Sequence, residues 1–325
     1  IYHKGQEYLF SEENIQSAIQ KLKSVQYDGL LRTNELIYDM LTLGTSQEQV
    51  VEGDKRSFNI NYIDWKHPER NIFHIVPEFK VERTRSTDTI RPDIVLFVNG
   101  IPLCVIECKA PSVDIEDAVK QSIRNQSDDY IPKLFTFVQM VAAINKNAAS
   151  YATVGTQKKF WGIWREKEDR EAAVAKKVNT HLNGTENESL FSGVFANARE
   201  FFFDLEKQGK RLVTEQDRFL YSLCRPERLL ELAYSFTLFD GGIKKIARYQ
   251  QYFVIKAALR RINQRDVEGK RKGGIIWHTQ GSGKSLSMVM LARSLVMNSG
   301  IVNPRIVLVT DRDDLDKQLG NTFKA

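Results

Sequence analysis

The sequence predicts an α/β protein in two parts: a mixed sheet flanked by helices, then a lobe with a parallel sheet. Two continuous β-prone apolar runs, 94–98 and 101–106, flank Asn99-Gly100, a strong hairpin signal. Residues 274–285 read as a strand, a glycine-bearing loop and a helix start. At 325 residues the chain exceeds one ordinary core, so two domains are expected.

Taken in order, 11–43 reads as two helices, the first started by Ser11 with Glu13 and Asn14. Thr33 is the expected cap of the second, which carries Leu36, Ile37, Met40 and Leu41. Strands are expected at 72–76 and 79–83, around Pro77. After the hairpin come a helix over 115–129, an apolar segment over 135–143 and a strand over 160–164. Residues 165–189 are polar and read as a loop or insertion. Residues 190–240 read as helical, with Leu229, Leu230, Leu232, Ala233 and Phe236 as core. Gly241-Gly242 supplies a break, giving domains 1–240 and 241–325.

Apolar content of 42% and charged content of 27% are those of a soluble globular protein. Lys and Arg number 47 against 41 Asp and Glu, which suits an anionic partner. Ten of those cations fall between Gly241 and Gly273, among them Lys244, Arg248, Arg260, Arg261 and Lys270, against Asp266 and Glu268. That stretch is either a solvated helix face or a surface facing DNA backbone. Cys104, Cys108 and Cys224 lack zinc-type spacing, and the first two read as buried small hydrophobes. A reducing, cytoplasmic setting follows. No run approaches the length of a membrane span.

Asp93 heads the first apolar run, and Glu107-Cys108-Lys109 ends the second. A strict two-residue turn would set Asp93 opposite Ile106 and send Asp93 and Glu107 to opposite faces. A three-residue loop, Val98-Asn99-Gly100 with Gly100 left-handed, pairs Asp93 with Val105 and puts Asp93, Glu107 and Lys109 on one face. The bulged form is expected. Converging carboxylates repel, and a hard cation such as Mg²⁺ relieves the repulsion. Such an ion lowers the pKa of a bound water, while Lys109 orients that water or stabilises developing charge. This is the chemistry of a metal-dependent phosphodiesterase. The rival reading has Asp93 and Glu107 capping strand ends with Lys109 paired to Glu107. Burying three charged groups without a task is costly and weighs against it.

In the second part, Gly281 and Gly283 let backbone amides approach phosphate oxygens. Lys284 would reach the outer phosphates and Ser285 would ligate Mg²⁺, with Thr279, Gln280 and Ser282 completing the loop. His278 stands where a first glycine belongs.

Pro92-Asp93…Glu107-Cys108-Lys109 looks like the PD-(D/E)xK nuclease motif. Residues 99–103 and 130–135 resemble the motor (restriction) subunit of type I restriction–modification enzymes. The resemblance implies a PD-(D/E)xK endonuclease domain with a helical connecting segment at 1–240 and a first RecA-like lobe of a superfamily 2 translocase at 241–325. That superfamily varies at the position of His278. The family carries a Q-x-x-x-Y element after the nuclease strands, which Gln126-Ser-Asp-Asp-Tyr130 fits. Nucleases of this class often take an acid from an early helix, which makes Glu35 a candidate. Arg248-Tyr-Gln-Gln251 resembles the Q motif, with Gln251 on adenine. Residues 305–315 resemble motif Ia, a buried strand followed by a DNA contact near Thr310, Asp311 and Arg312.

The implied activity is an ATP-dependent endonuclease and translocase acting on double-stranded DNA. Its implied cofactors are ATP and Mg²⁺, and its implied partners are methyltransferase (modification) and specificity subunits. The rivals are a stand-alone helicase–nuclease of DNA repair and a non-catalytic DNA-binding scaffold. The intact Asp93, Glu107 and Lys109 argue against the scaffold. The chain opens on Ile1 and holds no counterpart of the later motor motifs. It therefore reads as part of a longer protein, able to bind nucleotide weakly without turning it over.

Overall fold

A computed structural model describes residues 1–166, 171–279, 281–298, 300–301 and 303–309. A small ladder, β1 (Tyr2–His3) with β2 (Gln6–Glu7), precedes α1 (Glu12–Lys23). Ser11 caps α1, its side chain accepting from the Asn14 N–H. The second helix, α2 (Leu30–Leu43), starts three residues before the expected cap. Gly29 at φ 79° begins it, and Thr33 instead accepts from the Asp28 N–H through its hydroxyl. A hairpin, β3 (Thr45–Val51) and β4 (Asp54–Ile60), follows and packs on α1.

The central sheet has the order β11-β10-β9-β8-β5. Its strands are β5 (Phe73–Pro77), β8 (Ile94–Val98), β9 (Ile101–Cys108), β10 (Met140–Ile144) and β11 (Ala149–Ala152). Only β9 and β10 pair in parallel, so the sheet is mixed, as expected. A two-rung ladder, β6 (Val81–Glu82) with β7 (Thr89–Ile90), lies between β5 and β8 in sequence. The crossover from β9 to β10 carries α3 (Ile115–Asn125) and α4 (Pro132–Phe135). The helix expected over 115–129 thus stops at Asn125.

Both faces of the hairpin are buried. Leu96, Val98, Cys104 and Ile106 join Met140, Ala142 and Ile144 in the larger core with Ile37, Leu41, Leu223 and Leu230. Val95, Val105 and Val141 face the other way, against Ile131, Leu134 and Phe135. Ala118 and Val119 of α3 close on Ala143 beside them. Side-chain alternation therefore puts Asp93 and Glu107 on the face that α3 and α4 cover.

The expected three-residue loop is corrected by the register. Asn99 (φ 51°) and Gly100 (φ 79°) form a two-residue turn between Val98 and Ile101, which pair directly. The extra residue lies further along. Phe97 pairs with Pro102 and Leu96 with Cys104, leaving Leu103 as a bulge inside β9. The Leu103 carbonyl instead accepts from the Gln139 N–H at 2.8 Å, where β10 approaches. Beyond the bulge Ile94 pairs with Ile106, so Asp93 stands opposite Glu107. The common face comes from a bulge in the strand, not from one in the turn.

Residues 160–164 make a single bridge, Tyr151 to Gly162, and not a strand. The segment expected as a loop holds α5 (Glu171–Val178) and α6 (Gly184–Leu190). Next come α7 (Arg199–Lys207), α8 (Glu215–Leu223) and α9 (Pro226–Ser235). Leu229, Leu230, Leu232, Ala233 and Phe236 are buried in the larger core. Gly241 and Gly242 turn the hairpin of β12 (Thr237–Asp240) and β13 (Ile243–Ile246). Lys244 on β13 is buried, its ammonium donating to Asn34 and Gln139 side-chain oxygens. Then come α10 (Tyr249–Asn263) and α11 (Lys284–Val296), whose Tyr252, Ile255 and Met290 join the same core.

The strands expected at 274–277 and 305–309 do not form among the described residues. Ile275 is 94% exposed and Trp277 90%. A parallel strand buries both faces and needs neighbours on both sides. The described residues bring none to either segment. No helix among them is long and apolar enough to cross a membrane.

Candidate active site at the head of the β8–β9 hairpin

Asp93 is half-buried at the head of β8, and Glu107 is fully buried near the end of β9. The Asp93 Oδ2 accepts from the Cys108 N–H at 2.6 Å, which fixes one carboxylate against the opposing strand. The register sets the two carboxyl groups side by side on one face of the hairpin. Burial, and after it the nearby Asp93 charge, push the Glu107 pKa up to about 8. Asn125 and Lys109 oppose that rise.

Two amides on α3 hold the buried carboxylate. The Gln121 Nε2 donates to Glu107 Oε2 at 2.6 Å, and the Asn125 Nδ2 donates to Oε1 at 2.9 Å. Gln121 accepts in turn from the Lys109 Nζ at 2.5 Å. Lys109 is therefore tethered to Glu107 through Gln121. Its ammonium lies on the carboxylate face without a direct ion pair, unlike the rival capping arrangement. Spacing i, i+4 puts Gln121 and Asn125 on one side of α3.

These amides are the residues that sequence reasoning missed. The pair offered in their place goes elsewhere. Gln126 caps the end of α3, donating to the Ser122 carbonyl and accepting from the Gly155 N–H. Tyr130 lies beyond the helix, under Arg83 and Arg124. Gln121 and Asn125, not Gln126 and Tyr130, are the i, i+4 pair of α3 that meets the carboxylate site. The missed signal was the buried stripe Ala118, Ser122 and Asn125, which orients Gln121 toward the sheet. The carboxylate of Glu35, half-buried on α2, makes no hydrogen bond or ion pair among the described residues.

Among the described residues no cluster of three or more His, Cys, Asp or Glu side chains could hold a metal ion. The protein donors are the two carboxylates, a set that suits Mg²⁺, which keeps several waters and binds phosphate oxygens. The facing carboxyls test the fit: buried Glu107 stands opposite Asp93, where a divalent cation would offset their mutual repulsion.

The second site is the loop before α11. Gly283, left-handed at φ 79°, caps the helix. A Cβ there would lie 2.6 Å from the Gln251 Nε2. That amide donates to the Gly283 carbonyl at 3.2 Å, while its oxygen accepts from the Arg248 N–H at 2.8 Å. Gln251 thus braces the loop from α10, and reading adenine would require it to release those bonds. The Ser282 hydroxyl donates to the Thr279 carbonyl at 2.7 Å. Gly281 is left-handed, and Lys284 is exposed at the first turn of α11 beside half-buried Ser285. Gln280, Thr310, Asp311 and Arg312 lie outside the described residues.

Residues 4–160 match the model described as type I restriction enzyme R protein N terminus. Residues 250–325 match that of the SWI2/SNF2 ATPase. The HindI endonuclease subunit of Haemophilus influenzae is 30% identical over 323 residues, 97% of this chain and 27% of that protein. The putative MjaIXP endonuclease subunit of Methanocaldococcus jannaschii is 27% identical over 90% of this chain and 26% of its own length. The SauCOLORF180P endonuclease subunit of Staphylococcus aureus is 24% identical over 83% of this chain and 24% of its own. The chain spans about a quarter of the length of each.

Proposed function

We infer, for a chain homologous along most of its length to type I restriction enzyme endonuclease subunits, that Asp93, Glu107 and Lys109 form a Mg²⁺-dependent DNA-cleavage centre. One observation carries this: the register sets Asp93 opposite Glu107, and Lys109 is tied to Glu107 through Gln121. Asp93 and Glu107 would hold the cation, which when bound lowers the pKa of water and offsets charge on phosphate. Lys109 faces the same site and stabilises negative charge developing on the scissile phosphate. Gln121 and Asn125 keep the Glu107 carboxylate turned toward Asp93.

The rest of the reading follows the chain. Residues 1–240 form the endonuclease domain, and 241–325 contribute to a superfamily 2 motor with a parallel sheet. Gly281, Gly283, Lys284 and Ser285 take the ATP phosphates and their Mg²⁺. The motor draws double-stranded DNA past the nuclease, with modification and specificity subunits reading the sequence.

The test is single replacement of Asp93, Glu107 or Lys109 by Ala in the assembled complex. DNA cleavage should vanish and ATP hydrolysis persist. Cleavage by Asp93→Ala within about tenfold of wild type, ~1.4 kcal/mol of barrier, would refute the assignment.

A further inference from the structure

Tyr130 is half-buried just after α3, its carbonyl accepting from the Thr84 N–H at 2.8 Å. Two guanidinium groups lie over its ring, Arg83 at 4.9 Å and Arg124 at 5.2 Å from the centroid. Arg83 is braced further by its Nε donating to the Asp129 carbonyl at 2.6 Å. Among the described residues neither guanidinium has a carboxylate within ion-pair distance. Acids are close in sequence, yet Asp128 accepts from the Tyr27 hydroxyl at 2.7 Å instead. Two guanidinium groups held by one ring without a carboxylate partner leave donors open to an anion.

The position of Arg124 says which anion. It lies three residues after Gln121, so the two are neighbours on the side of α3. Gln121 touches both Lys109 and Glu107. Lys109, Gln121, Arg124, Tyr130 and Arg83 are therefore successive neighbours, beginning beside the carboxylate pair. A strand whose scissile phosphate sits at Asp93 and Glu107 carries its neighbouring phosphates past such groups. Guanidinium groups match phosphate geometry through two parallel N–H donors.

We propose that Arg83 and Arg124, held by Tyr130, grip the DNA backbone beside the scissile phosphate. The assignment rests on the nuclease reading of Asp93 and Glu107. Tyr130 is a positioning residue here: its ring orients two phosphate contacts.

The experiment is fluorescence anisotropy of the full chain with a labelled duplex, in EDTA, across about 50 to 200 mM KCl. Each phosphate contact contributes a slope of about 0.9 in log affinity against log salt. The double variant Arg83→Gln/Arg124→Gln should lose about 2 from the wild-type slope. Arg124→Gln alone, at an exposed helix position, should lose about 1 and melt like wild type. Tyr130→Ala should lose part of the slope and Tyr130→Phe none. Arg32→Gln/Lys55→Gln removes two exposed cations already paired with Asp28 and Glu48, and should leave the slope unchanged. An unchanged slope in both arginine variants, or a loss no larger than that control's, overturns the proposal. Inorganic phosphate bound calorimetrically without DNA, and lost with both arginines, would assign the pair to a free anion and also overturn it. Asp93→Asn separates the two readings. It should stop cleavage with the slope intact, and continued cleavage by it would sink the nuclease centre while leaving the slope result standing.

Discussion

The two candidate sites of this chain are built in opposite ways. Around Glu107 the polar groups hold one another: Asp93 on Cys108, Gln121 and Asn125 on Glu107, Lys109 on Gln121. Around Lys284 the helix cap and the Gln251 brace are in place, but the flanking apolar runs stand in solvent. The first site is complete because every part of it lies between residues 93 and 125. A hairpin and its following crossover bring those residues together through short-range connections. On the proposed motor reading the second site belongs to a parallel sheet, whose strands pair only across long crossovers and are buried on both faces. The apolar surface of 275–277 and 306–309 is what such a sheet would bury.

The largest expected effect bears on how the first site is assembled. Deleting Leu103 removes the bulge and slips β9 by one residue beyond it, turning Glu107 away from Asp93. Cleavage by the complex should be lost outright, with stability falling by about 2–5 kcal/mol as for loss of a buried leucine. Leu103→Ala keeps the register, so it should show the stability loss and retain cleavage. Equal cleavage by the deletion and the alanine variant would break the claim that the bulge sets the site.

A smaller effect is expected at Gln121. Its removal leaves both carboxylates but frees Lys109 and withdraws a donor from Glu107. Gln121→Ala should cut cleavage about 10–100-fold, the usual cost of losing a group that orients a ligand. A hydrogen bond to the charged form lowers a carboxyl pKa, so the pH profile of cleavage should move upward in the variant. A fall in rate with an unmoved profile would leave Gln121 a purely structural residue.

The smallest effect lies on the other side of the comparison. Trp277→Ser should change the melting of this chain by no more than about 0.5 kcal/mol, because the ring is 90% exposed. A destabilisation beyond about 2 kcal/mol would mean that the ring is buried against a partner strand after all.

Much of this was legible in the sequence, and the misses have physical causes. The hairpin and the acids at its far end could be read from pattern and turn chemistry, but the three-residue loop expected there is a two-residue turn in the fold. The Leu103 bulge could not be read that way. Both strands are apolar on both faces, so one register looks like another in the text, and alternation carries no signal where neither face is polar. The match of Gln126 and Tyr130 to Q-x-x-x-Y assumes a helix running on past Asn125. Tyr130 lies past the helix end, where i, i+4 spacing no longer places side chains together. The helices in 165–189 had signals that its polarity concealed. Glu171-Ala-Ala-Val-Ala-Lys-Lys-Val178 is rich in helix formers, and Asn183 with Glu186 makes a capping box. The strands at 274–277 and 305–309 were read correctly as apolar runs, but a ladder depends on neighbours that no local pattern encodes.

The most direct test of the carboxylate pair as a cation site is thermal melting against pH, with and without Mg²⁺, for wild type and Glu107→Gln. Glu107 is raised in the fold to about 8, so between its ordinary value and that pH the folded chain binds more protons than the unfolded one. Without metal, wild-type stability from this group is therefore full at acid pH and is lost as pH rises toward about 8. Mg²⁺ should replace the proton, raising the melting temperature strongly at about pH 8 and little at about pH 5. In Glu107→Gln both the fall with pH and the rescue by Mg²⁺ should shrink together. An equal rise with Mg²⁺ in wild type and Glu107→Gln, or no rise in wild type at alkaline pH, would contradict a cation held between Asp93 and Glu107.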